Sequence, residues 1–191
     1  MTVGGGRRRD RRRLGVAAAA SMVIVLGAVV VAFVAHVGAP PAAVDPEAAA
    51  VQALAADTLE LEHRGPLPDP SARTSLSAAD IDALHASAIA AAKAHYAGPL
   101  LATRTEEMLA AIDDAVDGTS GDLDGGVKDI VFRDTTIGLD TATVVVQATA
   151  WARVSQNGVV ANPISEDTWT FTLAKIDGRW FVTKDTSTFH G

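Results

Sequence analysis

The chain of 191 residues contains no cysteine, which excludes a disulfide framework, a thiolate zinc site and a cysteine nucleophile. Glycine and proline, at 16 and 8 residues, are too few for a collagen-like or low-complexity chain, and a hydrophobic fraction of 48% is ordinary for a folded protein. The glycine-rich strings, Gly4-Gly5-Gly6 and Gly118 to Gly126, carry no Lys-Ser or Lys-Thr pair, so no phosphate-binding loop is present, and no G-x-S-x-G elbow occurs. Basic residues are scarce beyond the start of the chain: six of the 16 lie in the first 13 positions, which leaves ten against 22 acids in residues 14–191. The length gives room for one ordinary domain and an appendage.

The six early cations are Arg7, Arg8, Arg9, Arg11, Arg12 and Arg13. Nucleic acid and anionic lipid both attract such a tract. Its position decides for lipid and against a nucleic-acid partner, because residues 14–37 that follow are uncharged and apolar. As a helix of about 24 residues the run is roughly 36 Å long, enough to cross a hydrocarbon core of about 30 Å. The next basic residue is Arg64, so the positive flank keeps the N-terminus in the cytoplasm and places the remainder outside the cell membrane. The competing reading is a cleaved signal peptide. Against it stand the length of the apolar run and Pro40, which follows the best small-residue site, Val37-Gly38-Ala39. A cytoplasmic tail of residues 1–13 is too short to bury a core. Any folded activity therefore lies outside, and His36, near the outer end of a lone span, reads as an imidazole reaching the interface.

Residues 38–70 read as an Ala/Pro-rich connector. Within it Asp45-Pro46-Glu47 starts a helix over about residues 46–61, and Gly65-Pro66-Leu67-Pro68-Asp69-Pro70 breaks it as a semi-rigid spacer. The folded domain is then residues 71–191. Ser77-Ala78-Ala79-Asp80 forms a capping box for a helix whose apolar face is Ile81, Leu84, Ala88, Ile89, Ala92 and Tyr96. Gly98-Pro99 ends that helix and starts another, with Leu101, Met108, Leu109, Ile112 and Val116 on its apolar side. The pattern then switches to period two. Strands are expected at residues 129–133, 143–155, 168–176 and 179–184, with a wide loop from 155 to 168 because Pro163 interrupts the return. Asp177-Gly178 is a two-residue type I′ hairpin turn, and its register puts Leu173 opposite Val182 and Lys175 opposite Trp180. The fold class is α+β: helices packed on one greasy face of an antiparallel sheet of about four strands, behind a transmembrane helix.

A short basic tail, one span, helices broken at HYAGPLL and a C-terminal meander ending TWTFTLAKIDGRWFVTKD resemble small anchored proteins with a nuclear-transport-factor-2-like (cystatin-like) outer domain. The arrangement is similar to the Mce-associated membrane proteins and to assembly subunits of type IV secretion and conjugation systems. The resemblance implies a curved sheet around helices, a cone-like cavity, and a role in holding envelope complexes together; likeness of fold does not by itself give activity. His95, Tyr96, Trp169, Phe171, Leu173 and Trp180 are the residues that would line such a cavity, with Gln147 a further candidate.

Soluble members of the fold include isomerases and dehydratases, whose chemistry needs a titratable group in an apolar pocket. The expected strands over 143–155 and 168–184 offer one acid, Asp177, which the turn takes, while Glu166 and Asp167 sit at a solvated strand entrance. No catalytic residue, cofactor or metal is therefore assigned. His85 and His95 are about 15 Å apart along a helix, too far for one ion. Ser120 to Gly125 matches half a calcium loop, but Val131 stands where Glu is required, so a flexible turn is the better reading. Asp113, Asp114 and Asp117 crowd a helix C-terminus against the macrodipole, and with Asp122 and Asp124 they form a candidate acidic patch for a basic partner. The expected function is an anchored accessory or assembly subunit that binds other envelope proteins, with self-association possible in principle; the alternative is a small-ligand or isomerase-like pocket. The chain recovered from cells should sit in the membrane fraction with its arginine tail intact. A secreted form beginning past Gly38 would contradict the anchor.

Overall fold

The computed structural model describes residues 45–190 apart from 65–66, 69–70, 119–120 and 157–158. The arginine tail and the apolar run at 14–37 lie outside the described residues. Among the described residues no helix is long and apolar enough to cross a membrane.

Helix α1 (Pro46–Arg64) starts where Asp45 Oδ1 accepts the Glu47 amide at 2.9 Å. Its buried stripe is Val51, Ala55, Thr58 and Leu59, and it packs against three strands of the sheet. The expected connector helix is thus longer than residues 46–61 and is a wall of the core, so the core begins at α1 and not at Ser71. The Ala-rich sequence hid this because the stripe is carried by only two large aliphatic residues, Val51 and Leu59. Helix α2 (Ala78–His95) has the expected capping box: Asp80 N donates to Ser77 Oγ and Ser77 N to Asp80 Oδ2. The Ser77 hydroxyl, and then its amide, hold the Asp80 carboxyl below its ordinary value. Helix α3 (Gly98–Val116) follows at once, because Gly98 takes a positive φ of 64° and Pro99 opens the first turn.

The sheet is antiparallel throughout, ordered β1-β2-β4-β5, with the short β3 paired to β2. The strands are β1 (Asp122–Ile137), β2 (Thr141–Gln156), β3 (Val159–Ala161), β4 (Ile164–Ile176) and β5 (Arg179–His190). Both turn residues of the last hairpin have positive φ, 51° at Asp177 and 78° at Gly178, and the pairs Leu173 with Val182 and Lys175 with Trp180 form as expected. Alternation along β2 and β4 sends Val144, Val146, Trp169, Phe171 and Leu173 into the core with Val182. The far edge of β5 is partly covered, since Ala97 N donates to Val182 O at 3.0 Å.

Three strand expectations are corrected. β1 has 16 residues rather than five, and it takes in residues 122–125 of the stretch read as a flexible turn. Three register shifts and a positive φ of 54° at Asp129 break the alternation that betrays a strand. Gly125 marks a close approach: a Cβ there would lie 2.6 Å from the His63 carbonyl at the end of α1. The wide loop at 155–168 is instead a tight hairpin, with Gln156 paired to Val159. Pro163 falls in the break between β3 and β4, where its carbonyl accepts the Ala152 amide at 3.0 Å. Lastly, β5 runs to His190 and not to Lys184, so the sheet gains Asp185, an acid the sequence reading left outside it.

If α1 is core, Leu59→Ala should lower unfolding free energy by about 2–5 kcal/mol. Leu139→Ala, at an 87% exposed position, should stay within about 0.5 kcal/mol. Denaturant titration of both variants checks this.

Candidate functional site

The apolar stripe of each helix ends in a polar group, and the three groups meet. Glu62 lies four residues after Thr58 on α1, Tyr96 four after Ala92 at the end of α2, and Arg104 four before Met108 on α3. Tyr96 Oη donates to Glu62 Oε1 at 3.0 Å. The Arg104 guanidinium lies 3.3 Å from that same oxygen and donates through Nη2 to Asp185 Oδ2 of β5 at 2.7 Å and through Nη1 to Glu107 at 2.7 Å. Glu62 and Asp185 are only 13% and 14% exposed, against 55% for Glu107.

These surroundings set the proton affinities. Burial pushes the Glu62 carboxyl up to about 7, against the pull of Arg104 and with the help of Asp185 nearby. The Tyr96 phenol rises above its ordinary value, first through burial and then through Glu62. Burial works against the Arg104 cation, but its hydrogen bond to Asp185 and the charges of its carboxylate neighbours outweigh that, so its proton is held more tightly than usual. Glu62 can thereby exchange a proton near neutral pH.

Glu62 and Arg104 face a cleft of about 390 Å³, whose wall also includes Glu107, Asp122, Asp124 and Trp151. A second cavity of about 330 Å³ adjoins it and shares His63, Trp151 and Ala152. Its wall contains Asp167 and Trp169 as well. His63 Nδ1 donates to Leu59 O at 2.9 Å, and the ring stands edge-on to Trp169 with centroids 5.4 Å apart. Asp167 is 1% exposed; its Oδ2 accepts from Ser165 Oγ at 2.7 Å, while Oδ1 has no partner.

The expected cavity residues are dispersed. Tyr96 belongs to the knot and Trp169 to the second cavity. Phe171 and Leu173 are wholly buried in the core. Trp180 is half-buried beneath Lys175, whose ammonium lies 5.4 Å from the ring centre. His95 is half-buried and donates through Nδ1 to Ala91 O at 2.8 Å, off both cavities. Gln147 is on the opposite face of the sheet, between Arg133 and Glu166, because odd-numbered β2 residues point away from the helices. The solvated reading of Asp167 is also corrected: two residues before Trp169 on β4, it falls on the core face. The acids read as one patch have different surroundings. Asp113 pairs with His85 at 2.9 Å, Asp114 and Asp117 are exposed at the end of α3, and Asp122 and Asp124 line the cleft. The topology arginines lie outside the described residues. Among the described residues no cluster of three metal-ligating side chains occurs.

Sequence reasoning missed Glu62, Arg104, Asp185 and Asp167. A usable signal existed for the first two: a charged residue in phase with an apolar helical stripe marks a buried polar partner. Asp185 was lost with the C-terminal half of β5.

No protein-family model and no characterised protein matches the chain. Among solved structures, the intermembrane space region of the chloroplast protein ARC6 aligns at 13% identity over 75% of this chain and 97% of that one, with a TM-score of 0.47. A Campylobacter jejuni protein described as an NTF2-like transpeptidase aligns at 22% identity over 60% of this chain and 89% of that one, with a TM-score of 0.22. Both scores are below 0.5, and neither likeness carries an activity to this chain.

A folded-state carboxyl raised from 4.5 to about 7 binds its proton more tightly than in the unfolded chain. Its contribution is therefore fully present below about pH 4.5 and is lost as pH rises through 7. Relative to Glu62→Gln, the wild type should lose about 3 kcal/mol of stability between pH 4.5 and 8. Urea titrations of the pair across that range measure the difference.

Proposed function

We propose that this chain is a single-pass, membrane-anchored accessory or assembly subunit of a cell-envelope complex. In this reading its outer domain has a nuclear-transport-factor-2-like architecture and binds a basic segment of a partner in the cleft beside Glu62. The carrying observation is the charge of that cleft. Glu62, Glu107, Asp122 and Asp124 face it, and the cation among them, Arg104, is already engaged by Glu62, Glu107 and Asp185. Excess carboxylate in a concave site favours cationic partners and steers their approach. The arginines at 7–13 and the apolar residues 14–37 supply the anchor, with the N-terminus cytoplasmic. The likeness to Mce-associated proteins and to secretion assembly subunits belongs to the same reading.

One observation favours a second reading, a small-ligand or isomerase-like site. Glu62, hydrogen-bonded to the buried Tyr96 and poised near neutral pH, has the properties of a general acid or base.

Ala111 is exposed and lines the cleft, so a photo-crosslinking residue placed there reads its occupant in intact membranes. The assembly reading expects a discrete adduct with an envelope protein or a second copy of the chain, several-fold reduced by Asp122→Asn with Asp124→Asn and by added salt. No adduct, or one indifferent to both changes, would contradict it.

A further inference from the structure

The second cavity holds a carboxylate without a counter-ion. Asp167 is almost completely buried, its Oδ1 has no hydrogen-bond partner, and its Oδ2 receives only the Ser165 hydroxyl. No Lys or Arg is among the residues that line the cavity. Burying a charge is costly unless it is paired and hydrogen-bonded. The wall around Asp167 includes Trp169, His63, Ile164 and the hydroxyl residues Ser165 and Ser187. Ile164 is 63% exposed, so this end of the cavity reaches the surface.

We propose that this cavity binds an alkylammonium group, whose N–H donors pair with Asp167 and whose methylenes lie along the indole of Trp169. An anion is disfavoured by Asp167 itself. A neutral apolar ligand leaves Oδ1 unpaired, which the site penalises. A primary ammonium satisfies both demands: it supplies donors to a carboxylate that lacks one, and aromatic faces attract cations. The His63 ring, fixed by its Nδ1 donating to Leu59 O, closes one side of the cavity. The volume of about 330 Å³ is at the lower end of small-molecule sites and accommodates a chain of a few methylenes. Two sources carry this chemistry, a free polyamine and the side chain of a lysine in a peptide. The inference rests on Asp167 and Trp169, and stands whether or not the neighbouring cleft binds a basic partner.

The test uses the full chain in a neutral detergent and follows the indole N–H resonances in nitrogen-15 spectra during titration. n-Butylammonium chloride should shift the Trp169 signal saturably and leave Trp180, which lines neither cavity, unmoved. 1-Butanol, of nearly the same shape without the charge, should not bind. Asp167→Asn should weaken n-butylammonium by about 30-fold or more, whereas Glu62→Gln should leave it unchanged, which separates this site from the acidic cleft. Spermidine and Nα-acetyl-lysine-methylamide then assign the source, the tighter of the two naming it. Equal binding of butanol and butylammonium by the wild type overturns the proposal without any substitution. So does the absence of a saturable shift with every amine, or an Asp167→Asn variant that folds and binds as the wild type does.

Discussion

Arg104 is the residue on which the arrangement of this domain turns. Its guanidinium is held by carboxylates from α1 (Glu62), α3 (Glu107) and β5 (Asp185), while Tyr96, at the end of α2, closes the set through Glu62. Three helices and an outer strand of the sheet are thereby joined at one point. A buried ion pair is a weak source of net stability, but deleting one partner leaves an uncompensated charge that costs about 3–5 kcal/mol. Alternative packings of α1 on the sheet meet that penalty. The knot therefore specifies which packing is adopted more than it strengthens it. Burial first, with Asp185 beside it, forces Glu62 toward neutrality against the pull of Arg104.

What lies around the knot follows from it. The end of α1 is drawn against β1 so closely that only glycine fits at position 125, and His63, one residue beyond Glu62, becomes a wall common to both cavities. One is a cleft lined by Glu62, Glu107, Asp122 and Asp124; the other is bordered by Trp169 and holds a buried carboxylate. Neither exists without α1, so the helix that the sequence presents as a connector is the element that creates the candidate sites.

The elements with strong local signals were legible in the sequence. The capping box at Ser77, the break at Gly98-Pro99 and the Asp177-Gly178 turn each have a mechanism confined to a few residues, and the hairpin register followed from the turn. β1 was not legible, because bulges and a glycine pair erase its alternation, and the reason for Gly125 lies in α1, more than fifty residues away, while Gly126 lies against the Trp151 indole of β2. The tertiary role of α1 was hidden by alanine, which is buried or exposed with equal ease. Among the site residues, Tyr96 and Trp169 were identified as inward-facing, yet their polar partners were not. Asp185 and Asp167 sit on strands whose ends were drawn too short, so the acids that matter were counted as loop. His95 and Gln147 were placed in a cavity because their residue types suit chemistry, and the helix carbonyl at Ala91 and the parity of β2 remove them.

The carboxyl of Glu62 reports directly on this account, and carbon-13 NMR of its side-chain carboxyl across pH 3–9 reads it without perturbing the chain. Burial beside Asp185 and under Tyr96 predicts a midpoint of about 7, with the Tyr96 ring resonances changing at the same pH. A midpoint in the ordinary glutamate range of about 4–4.5 would mean that the carboxyl is solvated, and the knot that places α1 on the sheet would not exist as described.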